Sequence, residues 1–305
     1  MDTQFWWAYD AAAAAVAAVI IYLSAKKGLS KTIFTTLGCI ISLVFAITLS
    51  ESASDAIYRS AVKSGNIKSV RRSLEDVQIT SKFKVFLENQ GYNITVNESR
   101  LQSILAESEN MQDDLFKYAC NINDKEVDEK EAFIQKVNSG FSDIFHEMLS
   151  HELPEYLLSD LSLMNDDSRL TQQAVQMVVR LEMIDDIPQE TVDYLENTFI
   201  QNRASEICRF AAFSIIYILL MLVIRLFANI ITAMLDIPSV GAAEQPLGAV
   251  MGIIRAVLFL IAAAAFVKFL VIIGDEKMMF FNQKSIDKTI VFKYIYNLKL
   301  INFSK

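Results

Sequence analysis

The sequence predicts an all-α, polytopic helical membrane protein with about four transmembrane helices and a mostly helical extramembrane insertion. Three observations predict it. The 305-residue chain is 53% hydrophobic and only 21% charged, with a mean hydropathy of +0.31; an ordinary soluble domain is about 45–50% apolar, glycine included, and about 25% charged. The charge is divided: residues 51–206 carry 29 Asp and Glu against 15 Lys and Arg, a net of −14, whereas the other 149 residues carry 7 acids against 13 bases, a net of +6. Four long apolar runs, Ala11–Ala25, Thr32–Leu49, Phe210–Leu235 and Leu247–Gly274, all lie outside the acidic block. The expected organisation is a transmembrane hairpin over 1–50, an acidic helical insertion over 51–206, a second transmembrane hairpin over 207–274, and a basic aromatic tail over 275–305. This composition excludes a disordered chain or a small disulfide scaffold, and the overall net charge of −8 argues against nucleic acid as a partner.

A helix rising 1.5 Å per residue needs about 20 residues to cross roughly 30 Å of hydrocarbon. The second, third and fourth runs meet that length. The first is short and alanine-rich, and spans only if it starts at Phe5, with Asp10 inside it; the rings of Trp6, Trp7 and Tyr9 before it suit a lipid–water interface. Residues 1–10 hold Asp2 and Asp10 and no Lys or Arg, so a cleaved signal peptide is not expected. Lys26, Lys27 and Lys31 follow the first run, which puts the first loop in the cytoplasm and the N-terminus outside. Threading onward places 51–206 outside, the connection 236–246 inside and the tail outside. Arg225, near the inner end of span three, agrees. The lysine-rich tail runs against the rule, but a short loop between two spans obeys it better than a translocated tail does.

Within the insertion, sparse Gly and Pro argue against an all-β domain. Apolar residues recur at helical spacing over 132–148, where Gly140 is a candidate break, and over 170–184. Asn97 reads as a helix cap, and Pro188 suits the first turn of a helix that runs on into span three. In the tail, Thr289–Phe303 fits a helical face and a strand face equally well, and either suits a membrane surface.

Residues that carry chemistry are few. His146 and His151 are five apart, which turns the second away from the first by about 140° around a helix and rules out the i, i+4 zinc motif. Cys39, Cys120 and Cys208 form no C-x-x-C pair. There is no phosphate-binding loop and no nucleophile elbow. No catalytic residue, cofactor site or metal site is expected, and none is assigned. Arg255 stands about eight residues into span four, where a charge is costly unless it snorkels or finds a partner. It fits either reading; Asp236 and Glu244 are the better-placed acids, because Asp10 falls at the opposite face. Gly248 and Gly252 form a G-x-x-x-G step that lets another helix approach closely.

Two ordered stretches resemble the colicin V production protein (CvpA) family. One is Tyr9-Asp10, an apolar span, the basic turn Lys26-Lys27-Gly28 and a second span to about Leu49. The other is Val223–Phe227, containing Arg225, followed by Pro246-Leu-Gly-Ala-Val-Met-Gly-Ile-Ile-Arg255. The chain departs from the family's simplest form in its large insertion, in Leu29-Ser30 after the basic turn, and in Ala256 after Arg255. The resemblance implies a multi-pass protein of the bacterial cytoplasmic (inner) membrane. It further implies a non-enzymatic role in toxin production or secretion, or in envelope homeostasis. The expected partners are the lipid bilayer and a second copy of the chain or other membrane or secretion proteins. Two alternatives stand beside this: a transporter or channel component using Arg255, and a membrane-anchored sensor whose ligand-binding part is 51–206.

Overall fold

The computed structural model describes residues 5–92, 94–123, 127–184, 186–234, 244–274 and 280–299. Among the described residues every regular element is helical. The long helix α1 (Trp6–Ile57) is followed by α2 (Lys63–Ser73), α3 (Ile79–Glu88), α4 (Glu98–Glu107), α5 (Met111–Asn123) and α6 (Lys130–Ser150). Then come α7 (Leu163–Asp166), α8 (Ser168–Leu181), α9 (Gln189–Leu195), the long helices α10 (Gln201–Met234) and α11 (Glu244–Gly274), and the short α12 (Gln283–Asp287) and α13 (Phe292–Tyr296). Three helical stretches are long and apolar enough to cross a membrane: Trp6–Ser73, Gln189–Ile231 and Glu244–Gly274. The chain is a multi-pass helical membrane protein.

The chain divides into two compact units, Met1–Arg59 with Ser205–Lys305, and Ser60–Ala204. The tail is not a body of its own: Ile286, Phe292 and Tyr296 are buried in the same apolar cluster as the spans.

In the membrane unit, α1 is broken by one residue. Gly28 has φ 77° and ψ 170°, in the positive-φ half of conformational space that glycine alone enters without steric cost. The chain doubles back there. Thr32 donates its hydroxyl to the carbonyls of Ser24 at 3.1 Å and Gly28 at 2.7 Å, which ties the two arms beside the turn. Ala13 and Leu43, equally far from Gly28 along the chain, meet in one cluster with Ala264 and Ala265 of α11. The expected spans one and two are therefore the arms 6–27 and 29–57, joined by a one-residue turn rather than a loop. Glu244 at the start of α11 packs against Gly28, while Tyr9, Phe280 and Phe292 meet at the other end, where Arg209 and Glu51 also pair at 3.2 Å. The inward faces are made of small residues: Thr32, Thr36, Gly38, Cys39, Ala46 and Ser50 on the second arm, and Gly248, Gly252, Ala256 and Ala264 on α11. Such faces let helix backbones approach closely where lipid provides no hydrophobic drive between helices.

The other unit is a water-type core. Phe83, Phe133, Phe141, Phe145 and Phe199 are fully buried, and the Phe83 and Phe141 rings stack at 3.9 Å. α6 runs unbroken through Gly140, whose missing side chain leaves room for the Phe86 ring. Two buried side chains form one network: Gln112 donates to the Asn138 side-chain oxygen at 3.2 Å and to the Ser168 carbonyl at 2.8 Å, and Asn138 donates to the Ser168 hydroxyl at 3.0 Å. Asn97 caps α4 by accepting from the Arg100 amide at 2.9 Å, and Pro188 stands at the N-cap of α9. From Gln189 the helix continues through a π-helical turn at Glu196–Ile200 into α10.

Candidate functional site

The membrane unit places charged side chains in two groups, one toward each end of its helices. Toward the Gly28 end, a cavity of about 540 Å³ is walled by the first arm of α1, the second arm, α10 and α11. Among the described residues its cations are Lys27, Arg225 and Arg255, and no carboxylate lines it. Its apolar wall includes Val16, Ile20 and Leu23 of the first arm, Met221 and Ile224 of α10 and Phe259 of α11. Thr35, Cys39 and Asn229 add polar edges. The Lys27 ammonium lies within electrostatic range of both arginines, and the Arg255 guanidinium lies against the buried Cys39 thiol. The Tyr217 hydroxyl stands beside the same thiol.

The cavity exists because of how the helices meet around it. Gly248 and Gly252 carry α11 against the first arm: a Cβ at 248 would lie 2.8 Å from the Ser24 carbonyl oxygen, and one at 252 would lie 2.7 Å from the Ser24 Cβ. Those contacts are with backbone and near-backbone atoms, which cannot swing aside. On the other flank, a Cβ at Gly38 would meet Ile224 of α10 at 2.2 Å. One turn beyond Gly252, α11 presents Arg255 to the space that opens between first arm and α10.

The other group sits where the tail docks. The Asp10 carboxylate accepts the amides of Ile290 at 2.7 Å, Val291 at 3.1 Å and Phe292 at 2.8 Å, satisfying donors that the start of α13 leaves open. Tyr9 donates its hydroxyl to the Phe280 carbonyl and stacks on Phe292. Lys268 is buried with its ammonium 5.1 Å from the centre of the Tyr296 ring.

Of the residues singled out from sequence, Lys27, Arg225 and Arg255 share the cavity, Gly28 makes the turn beside it, and Gly248 and Gly252 hold its walls. Lys26 is exposed and does not line it. Asp10 belongs to the tail, not to any arginine. Glu244, expected as a partner for Arg255, instead accepts from the Ser30 hydroxyl at 3.3 Å, because the tight Gly28 turn brings the start of the second arm to it. Asp236 lies outside the described residues. Sequence reasoning missed Cys39, Thr35, Asn229 and Phe259. The signal for Cys39 was present: Thr32, Thr36, Cys39 and Ala46 recur at three-, four- and seven-residue steps, marking an inward face of small residues. His146 pairs with Glu155 at 2.7 Å and His151 with the Glu147 carbonyl at 2.7 Å, so the two rings serve separate partners.

Residues 187–299 match the family model described as Colicin V production protein. The match covers α9 to α13, and with them Arg225, Arg255, the glycine pair and the docked tail. It leaves out the α1 hairpin and most of the 60–204 unit. No curated protein and no solved structure matches the chain.

Proposed function

With residues 187–299 taken as a Colicin V production protein segment, we propose that the chain is a non-enzymatic component of the bacterial cytoplasmic membrane. In this reading it acts in colicin V production, in secretion or in envelope homeostasis. The observation that carries this is the position of the match, which falls on the second of the two stretches that carry the resemblance, with Arg225, Gly248, Gly252 and Arg255. The orientation belongs to the same proposal: the Lys26-Lys27-Gly28 turn faces the cytoplasm, and the N-terminus, residues 51–206 and the tail face outward. Reporter fusions at residue 130 and at the C-terminus test it; a cytoplasmic signal at residue 130 would refute it. The functional reading is tested in a cell carrying the colicin V determinants and lacking this gene. Growth-inhibition zones on a sensitive lawn are expected to shrink and to be restored by the wild-type chain. Unchanged zones would sink the proposal.

A second reading, a transporter or channel component, is favoured by one observation: Arg255 lines a cavity with two further cations. Against it, Lys268 and Asp10 belong to the tail end rather than to a continuous polar path. An Arg255→Leu chain that kept expression and phenotype would remove its support.

A further inference from the structure

We propose that the cavity lined by Lys27, Arg225 and Arg255 binds the phosphate and upper acyl chain of an anionic phospholipid. The proposal rests on reading these helices as membrane spans; it needs no role in colicin V production.

Charge is the first argument. Among the described residues three cations and no carboxylate line the cavity, and Lys27 lies within electrostatic range of both arginines. Like charges around a space of low dielectric repel one another far more than they do in water. A bound anion turns that repulsion into attraction.

Length and polarity supply the second. Along the first arm the lining runs from Lys27 to Ala15, twelve residues or about 18 Å of helix. One leaflet of the hydrocarbon core is about 15 Å thick. The gradient is that of a lipid: Lys27 at the rim beside the turn, the two arginines further along, then Val16, Ile20 and Phe259. A free phosphate would leave the apolar wall unfilled. A zwitterionic lipid would bring an ammonium group toward three cations.

Volume is the third. About 540 Å³ falls within the usual range for a small-molecule site and is too small for a whole two-chain lipid. The headgroup phosphate and part of one chain fit, and the rest of the lipid lies along the outward apolar side chains Val19, Leu222 and Leu226.

The test uses the full chain in nanodiscs of equal phosphatidylglycerol and phosphatidylcholine, released and weighed by native mass spectrometry. One phosphatidylglycerol per chain is expected to be retained in preference to phosphatidylcholine. Arg255→Gln, Arg225→Gln and Lys27→Gln should each reduce that retention about fivefold, the factor expected for one cation acting on an anionic lipid. Arg255→Lys should keep most of it. Should Arg255→Gln fail to fold, Arg225→Gln and Lys27→Gln carry the test, because both side chains are exposed. Lys26→Gln, next to Lys27 but outside the cavity, should change nothing. Equal retention of the two lipids would overturn the proposal. So would a Lys26→Gln effect as large as that of Lys27→Gln, which would mean a diffuse surface attraction. Displacement of the lipid by millimolar inorganic phosphate would also overturn it, by making free phosphate the ligand. Toxin secretion is not read out, so this proposal and the functional one fail independently.

Discussion

The two units build their interiors differently. In residues 60–204, large side chains such as Phe83, Phe141 and Phe199 point inward, and the buried side chains of Gln112 and Asn138 bond to each other and to the half-buried Ser168. In the membrane unit, small residues such as Gly248, Gly252, Ala46 and Ala264 line the faces where helices meet, with Phe210, Phe213 and Tyr217 buried beside them, while Leu222, Leu226, Phe227 and Ile253 point outward. Both units are helical, so backbone preference does not explain the difference. The solvent does. Water drives large apolar groups together, at about 25 cal/mol per Å² of buried surface. Lipid does not, so helices there associate by close packing of small residues. The difference teaches that outward apolar side chains are the normal surface of one unit and would be a liability on the other.

Five experiments would break or sharpen this contrast. The largest effect is expected from truncating an inward ring: Phe141→Ala should cost the 60–204 unit about 3–5 kcal/mol, read by proteolysis of the full chain in denaturant. Phe227→Ala, whose ring faces outward in the membrane unit, should cost less than about 0.5 kcal/mol. Equal costs would mean that the two interiors are alike. Next comes charge on the surface. Leu222→Asp should cost about 2.5–3.5 kcal/mol in a membrane-insertion assay, and the equally exposed Val85→Asp on α3 should lie within about 0.5 kcal/mol of wild type. Normal insertion of the Leu222→Asp chain would remove α10 from the membrane.

Third, Gly252→Val should cost about 1–3 kcal/mol by driving α11 off the first arm, seen as lost disulfide trapping between cysteines placed at 21 and 252-adjacent sites. Fourth, Asp10→Asn should loosen the tail by about 0.5–2 kcal/mol, the range for losing a helix-capping oxygen, read as faster amide exchange at 290–292. The smallest effect is a pH response confined to the 60–204 unit. The Lys136 ammonium, 2.7 Å from Asp128, holds that carboxyl below its usual value, and the Tyr92 hydroxyl adds to the effect. A depressed folded-state pKa stabilises above the unfolded value, about 3.9, and that contribution is lost as pH falls through the folded value. Amide protection around 127–136, taken against the intrinsic exchange rate at each pH, should therefore fall below about pH 4, and Asp128→Asn should abolish that acid limb.

Much of the framework was legible because it depends on local chemistry. Apolar runs of sufficient length marked the spans, and Lys26, Lys27 and Lys31 after the first run marked where spans one and two connect. Asn97 and Pro188 announced their helices through capping and first-turn preferences. The tail was not legible: Thr289–Phe303 carries both periodicities, and its two short helices form against α1 and α11, with Asp10 supplying acceptors from 280 residues away. The partner of Asp10 was out of reach for the same reason, since nothing near it in the chain pairs with it. Glu244 was assigned to the wrong side chain because a loop was expected where a single residue turns, and that turn moves Ser30 beside it.

Sequence alone determined that the apolar runs are helices that meet lipid, that the acidic block between them is mostly helical, and that arginines stand inside the apolar runs. These follow from composition, period and length, which each segment carries by itself. Only the tertiary structure decided that Lys27, Arg225 and Arg255 share one cavity, that Cys39 lies against Arg255, and that the tail locks onto Asp10. Those facts depend on how far each helix rotates and slides against its neighbours. Rotation and register are set by where glycine and alanine on one helix admit the backbone of another, a property of pairs of helices that no single stretch of sequence contains.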